Sequence, residues 1–186
     1  MLFEVLVAAL ASMDLFARAT DPNPTLNSYT ASAQLAATIR AAVPFRKTFS
    51  GTVHYQRPNR TIEFADVPGS LSRFGALAAM TPTYEQAMQH YAITPLRDDG
   101  KASTYRLVPR KHGGGVKDVV VTICDRTALL RNARWRYASG GTLTFGQTYA
   151  NVGIFRLPAK ATISARFPGY SADGTLTFGN YKLSTH

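Results

Sequence analysis

The hexapeptide Gly141-Thr142-Leu143-Thr144-Phe145-Gly146, GTLTFG, returns unchanged as Gly174-Thr175-Leu176-Thr177-Phe178-Gly179. A strand sends successive side chains to opposite faces, so each copy puts Leu and Phe on one face and its threonines on the other. The intervening QTYANVGIFRLPAKATISARF has no counterpart after the second copy, which excludes a solenoid or a duplicated module. Glycine opens each copy at an expected turn, Gly140-Gly141 in one and Asp173-Gly174 in the other, and the closing glycine permits a bend. Each copy thus reads as a turn followed by a strand, delivering Leu143, Phe145, Leu176 and Phe178 to one concave apolar wall.

The same alternation surrounds both copies. From residue 103 onward, STYRLVP, VKDVVVTIC, ARWRY, TLTFGQTY, IFRLPAK, ATISARF, GYSADG and TLTFGNYKLS suggest about seven strands at the spacing of an antiparallel meander. RKHGGG, DRTALLRN and ASGG are the expected turns. Trp135, Ile163 and Phe167 fall at alternating positions that extend the Leu–Phe wall. Upstream, FSGTVHYQRPNRTIEF reads as a hairpin around Arg57–Arg60, with Val53, Tyr55, Ile62 and Phe64 on its apolar face. Tyr29, Ala31, Ala33 and Leu35 alternate with polar residues and suit a strand, after a linker over residues 20–30 with two prolines.

Between the hairpin and the meander the period changes. Leu71, Phe74, Leu77 and Ala78 recur at helical spacing behind Ser70, and Tyr84, Ala87, Met88 and Tyr91 share a face behind Thr81 and Pro82. Two short helices, about 70–80 and 82–91, are predicted. Strands flanking a helix pair define an α+β class: one curved antiparallel sheet with helices on one face.

Charge is unevenly placed. Residues 1–100 balance eight Lys/Arg against eight Asp/Glu, whereas residues 101–186 set thirteen Lys/Arg against Asp118, Asp125 and Asp173. That half carries the whole net charge of +10, which suits either an anionic partner or simple solubility. Cys124 is the sole cysteine, so no internal disulfide forms, and its apolar run VVVTIC suggests a buried, inert thiol. At the N-terminus, LFEVLVAALASM has the length of a signal-peptide apolar core and Ala17-Arg18-Ala19 resembles a cleavage site. Glu4, Asp14 and the absence of a basic start weaken it, so residues 1–24 read as a degraded or truncated export signal plus linker, or as a short amphipathic helix. Residues 25–186 form the domain.

No catalytic or metal-binding signature is present. His54, His90, His112 and His186 have no partner at metal-ligand spacing, and HGGG at 112–115 lacks a G-x-S-x-G nucleophile. Asp98-Asp99-Gly100 lacks the further acids of a calcium loop. No cofactor and no metal are expected. Nucleic-acid binding is motivated by charge alone, without aromatics interleaved among basic residues.

The order of pieces resembles the LolA-like superfamily of periplasmic lipoprotein carriers and outer-membrane lipoprotein-sorting proteins. The resemblance rests on NPTLNSYTASAQL, FSGTVHYQRPNRTIEF, YRLVP, VVVTI, ARWRYASGGTLTFGQTYANVGIFRLPAKA and GTLTFGNYKLS, over roughly residues 25–186. It implies an incomplete barrel with a short helical lid, whose concave face holds acyl chains without chemistry. By position, Val53, Tyr55, Ile62, Phe64, Trp135, Leu143, Phe145, Ile163, Phe167, Leu176 and Phe178 would line the cavity, and Leu71, Phe74, Leu77 and Met88 would form the lid. Arg134, Arg136 and Arg156 all remain candidates for the arginine that locks such a lid. The implied partners are acyl chains of lipids or lipoproteins, an inner-membrane donor and an outer-membrane acceptor. A pocket filled by the protein's own side chains, in an envelope structural or signalling domain, is the other implied reading.

Overall fold

The computed structural model describes residues 13–41, 44–65, 83–111 and 115–184. In chain order, a helix over residues 13–20 (α1) precedes β1 (Ser28–Arg40), β2 (Phe45–Gln56) and β3 (Asn59–Phe64). A second helix, α2 (Tyr84–His90), runs directly into β4 (Tyr91–Asp98). There follow β5 (Ala102–Pro109), β6 (Val116–Cys124), β7 (Leu129–Tyr137), β8 (Thr142–Val152), β9 (Phe155–Phe167) and β10 (Tyr170–Ser184). The strand order is β3-β2-β1-β10-β9-β8-β7-β6-β5-β4, so the sheet is open, with β3 and β4 as its ends. This is the α+β class expected. No described helix is long and apolar enough to cross a membrane.

The chain divides into two compact units: Met1–Pro22 with Pro82–Thr142, here the first unit, and Asn23–Thr81 with Leu143–His186, the second. The first unit buries one face of β5–β7, with Tyr105, Leu107, Val119, Val121, Ile123 and Ala133 in its core. Leu15 and Phe16 of α1 and Ala87 of α2 cover that face. Phe16 meets Tyr105 edge-on at 5.3 Å between ring centroids. The stretch that resembles the end of an export signal therefore contributes two core side chains.

Several sequence expectations are corrected here. The second helix starts later than predicted: Thr83, not Thr81, is the cap, because Gln86 three residues on completes a reciprocal capping box with it. It also stops at His90, and Tyr91 opens the unpredicted strand β4, whose Pro95 sits at a register shift on the sheet edge. Leu129–Asn132 belong to β7, since the preceding turn closes with Ala128 at φ 51°. IFRLPAK and ATISARF are one strand, β9, and GYSADG continues into TLTFGNYKLS as β10. Gly174 consequently lies in mid-strand, opposite Ala37 and Ile163, and opens no turn. Gly140, with φ 84°, does sit in a turn. The two GTLTFG copies therefore differ at their first glycine. The first helix predicted, about 70–80, and HGGG up to residue 114 lie outside the described residues.

The proline-containing linker is held in place. Asn23 donates Nδ2 to the Arg156 carbonyl at 2.9 Å and accepts from the Arg156 N–H at 3.1 Å, while Leu26 is buried.

Candidate apolar binding wall

The second unit's strands place one apolar face in strict register. Residues directly opposite in an antiparallel pair share a face, so the rows can be read across β3, β2, β1 and β10. Phe64, Gly51, Ala33 and Phe178 form one row, and Phe49, Leu35 and Leu176 form another that continues to Ala161 of β9. Ile62, Val53 and Ala31 make a third. Ala37, Gly174 and Ile163 make a fourth. Ala31, Ala33, Ala37, Gly51 and Gly174 keep the rows shallow on either side of the Phe49–Leu35–Leu176 ridge.

The structure thus brings Val53, Ile62, Phe64, Ile163, Leu176 and Phe178 onto one face. Tyr55 joins them at one end, stacked on Tyr29 at 5.0 Å. Phe167 lies at the end of β9, stacked on Tyr170 at 5.1 Å. Leu143 and Phe145 are buried on β8, between half-buried Thr142 and exposed Thr144. Trp135 and Met88 belong to the first unit, where Trp135 is opposite Val119 and partly buried against that core. Leu71, Phe74 and Leu77 lie outside the described residues. Leu35, Phe49 and Leu157 were missed, although the alternation of Leu35 with Gln34 and Ala36 carried the signal.

The wall is buried. Val53 is fully inaccessible, and Leu35, Leu176, Ile163, Leu143 and Phe145 are nearly so. The Phe64 ring also lies on the Gly51 backbone, filling from the neighbouring strand the space that the glycine leaves. Near one end, β10 bulges: Asn180 takes φ 51° and donates to Ser32 Oγ at 3.2 Å. The extra residue turns Tyr181 inward, onto Tyr29 and the Pro158 carbonyl, where burial pushes its hydroxyl pKa up.

Lys47, opposite Ala37, and Arg60, opposite Tyr55, stand at the two ends of the wall, and the opposite faces carry paired aspartates. In the first unit, Asp118 on β6 is fully buried between Arg106 of β5 and Arg136 of β7. Hydrogen bonds from Arg136, against the opposing effect of burial and with further help from Arg106, hold its carboxyl at a pKa of about 2. The second unit repeats the arrangement: Arg40 and Arg166 bracket Asp173 at 2.6 and 2.8 Å, and Ser164 donates to it at 2.9 Å. Burial pushes the Asp173 carboxyl up, but the three donors together leave it below the usual range. Of the lid-lock candidates, Arg136 is committed to Asp118, and Arg156 meets Asn23 through its backbone. Cys124 is half-buried, not enclosed. The Thr127 hydroxyl and the Arg131 guanidinium, 3.4 Å from Sγ, hold its thiol pKa down. Among the described residues no cluster of His, Cys, Asp and Glu could hold a metal.

No family model matches the chain, and no curated protein does. Solved structures do match. A DUF1329 family protein from Desulfovibrio piger superposes with a TM-score of 0.62 at 12% identity, covering 94% of this chain and 92% of that one. A domain named for outer membrane lipoprotein sorting, from Vibrio parahaemolyticus, gives 0.63 at 12% identity over 93% and 92%. A LolA superfamily protein from Nitrosomonas europaea gives 0.53 at 9% identity over 93% of each chain. The fold is LolA-like.

Proposed function

We propose that this protein is a non-enzymatic, periplasmic binding protein that holds acyl chains of lipids or lipoproteins against the apolar wall of its second unit. The observation that supports the reading is the register of that wall: in-line apolar rows across β3, β2, β1, β10 and β9, shallow where alanine and glycine replace larger side chains. Each buried CH₂ contributes about 0.8 kcal/mol, so a ~14-carbon chain gains on the order of 10 kcal/mol before ordering costs. The basic excess of residues 101–186 favours anionic headgroups, and salt weakens that attraction. Carriage toward the outer membrane, between a donor and an acceptor protein, is the role this binding would serve.

A second reading has its own support. The wall is buried and Phe64 occupies the space above Gly51, so an acyl chain must displace side chains that already fill it. In that case the protein is an envelope structural or signalling domain that binds another protein.

The test is titration with a fluorescent fatty acid, together with mass spectrometry of lipids that co-purify with the native protein. Phe178→Glu, at a half-buried position, should abolish binding while leaving the fold intact; Phe145→Glu should abolish it too, but it buries a carboxylate and is read only where thermal melting shows the variant folded. Normal binding by both folded variants removes the wall as the site. Absence of co-purified lipid together with absence of fatty-acid binding selects the second reading.

A further inference from the structure

The other face of the second unit holds an open groove of about 660 Å³. Its lining follows the strand register. Thr61, His54, Thr30 and Lys182 are directly opposite one another across β3, β2, β1 and β10. One row further toward the strand ends stand Asn59, Gln56, Ser28 and Ser184, again in line. Tyr29, Tyr55 and Leu183 also line it but alternate to the other face, so their backbones form its floor. The bulge at Asn180 bends β10 beside these rows and contributes the concavity.

All eight side chains directed into the groove are polar. Gln56 and Asn59 each present a donor and an acceptor, and the four hydroxyls of Ser28, Thr30, Thr61 and Ser184 can act as either. Thr61 spends part of its capacity on a long contact of 3.5 Å to the His54 carbonyl. Lys182 supplies a positive charge two strands from His54, across Thr30, and no acid among the described residues lines the groove; Glu63 stands one row away on β3. A membrane surface would find no apolar side chain to insert among those eight.

We propose that this groove binds an acidic glycan, a short run of sugars bearing carboxylates. Mixed donors and acceptors suit sugar hydroxyls, whereas a bare phosphate needs donors alone. The acid-free lining with Lys182 selects a charged sugar over a neutral one. Rows about 7 Å apart on strands about 4.8 Å apart spread these groups over an area that accepts more than one sugar ring, and the volume lies within the range of small-molecule sites. The proposal is independent of the acyl-chain reading, because the groove and the apolar wall lie on opposite faces of the same strands.

Calorimetric titration of the full chain with tetragalacturonate, maltotetraose and inorganic phosphate tests it. Tetragalacturonate should bind saturably, and Lys182→Gln should weaken it about tenfold with unchanged melting, as loss of one charged hydrogen bond predicts. Lys160→Gln, on β9 outside the groove, should leave binding unchanged. Maltotetraose should bind at least about tenfold more weakly than the acidic tetramer. Absence of saturable binding overturns the proposal. So does wild-type affinity in Lys182→Gln, equal affinity for maltotetraose, or full competition by an equal concentration of phosphate.

Discussion

Phe64 lays its ring over Gly51, the residue directly opposite it on β2, with Cδ1 2.6 Å from where a Cβ would stand. The Glu63 carbonyl oxygen lies closer still to that point. The glycine is therefore fixed by its neighbours and not by its own backbone angles. Gly51→Ala should destabilise the protein by about 2–3 kcal/mol, since a backbone oxygen cannot swing aside as a side chain can. Gly174 offers the control. A Cβ there would meet Leu35 Cδ1 at 3.5 Å and Ile163 Cβ at 3.8 Å, ordinary contacts, so Gly174→Ala should cost less than about 1 kcal/mol. Urea denaturation of the two variants checks the difference.

Asp118 links stability to pH. Its folded pKa of about 2 lies below the ordinary 3.8, so its contribution is complete above the ordinary value and is lost as pH falls toward 2. The depression corresponds to about 2 kcal/mol. Asp118→Asn should cost about 3 kcal/mol at pH 7, because two arginines lose the charge they share, and should flatten the loss of stability between about pH 4 and 2. Some slope must remain, because Asp173 is depressed in the same direction. Denaturation midpoints across this range decide the matter, and a variant with the wild-type pH profile would remove Asp118 from the account.

Phe16 is 5% exposed, against Tyr105 and near Tyr84, so α1 is a structural part of the first unit. Phe16→Ala should lower stability by about 3–4 kcal/mol. A chain that begins at Thr20, as cleavage after Ala19 would produce, should lose at least as much. Thermal melting of both proteins is the check, and a truncated chain that melts at the wild-type temperature would show that α1 is dispensable.

Asn180 combines a left-handed backbone with a side-chain bond to Ser32. Asn180→Ala should cost about 1–2 kcal/mol, from the loss of that bond and from the Cβ at positive φ, and Asn180→Gly should cost less. Amide exchange along β10 should rise in the alanine variant around Tyr181 and Lys182, while that around Leu176 stays unchanged.

The alternation written into the sequence was sufficient for the class, the first hairpin and most strands, because a period of two is a local property of the chain. It also placed Val53, Ile62, Phe64, Ile163, Leu176 and Phe178 on a common face. Strand β4 escaped it: Pro95 and exposed Leu96 break the pattern, and an edge strand has no second partner to demand one. The pairing of Asp118 and of Asp173 with two arginines was also invisible, since Arg106, Asp118 and Arg136 meet only after three strands align.

The two copies of GTLTFG show where local information ended. Sequence by itself determined that Leu and Phe face one way and threonine the other, in both copies, because side-chain direction alternates whatever the strand pairs with. Only tertiary structure decided what each glycine does. Gly140 turns the chain ahead of the first copy, whereas Gly174 lies between Ala37 and Ile163 in mid-sheet, and Gly179 stands next to a bulge. The same six residues take different surroundings because a glycine's role depends on which strands lie beside it.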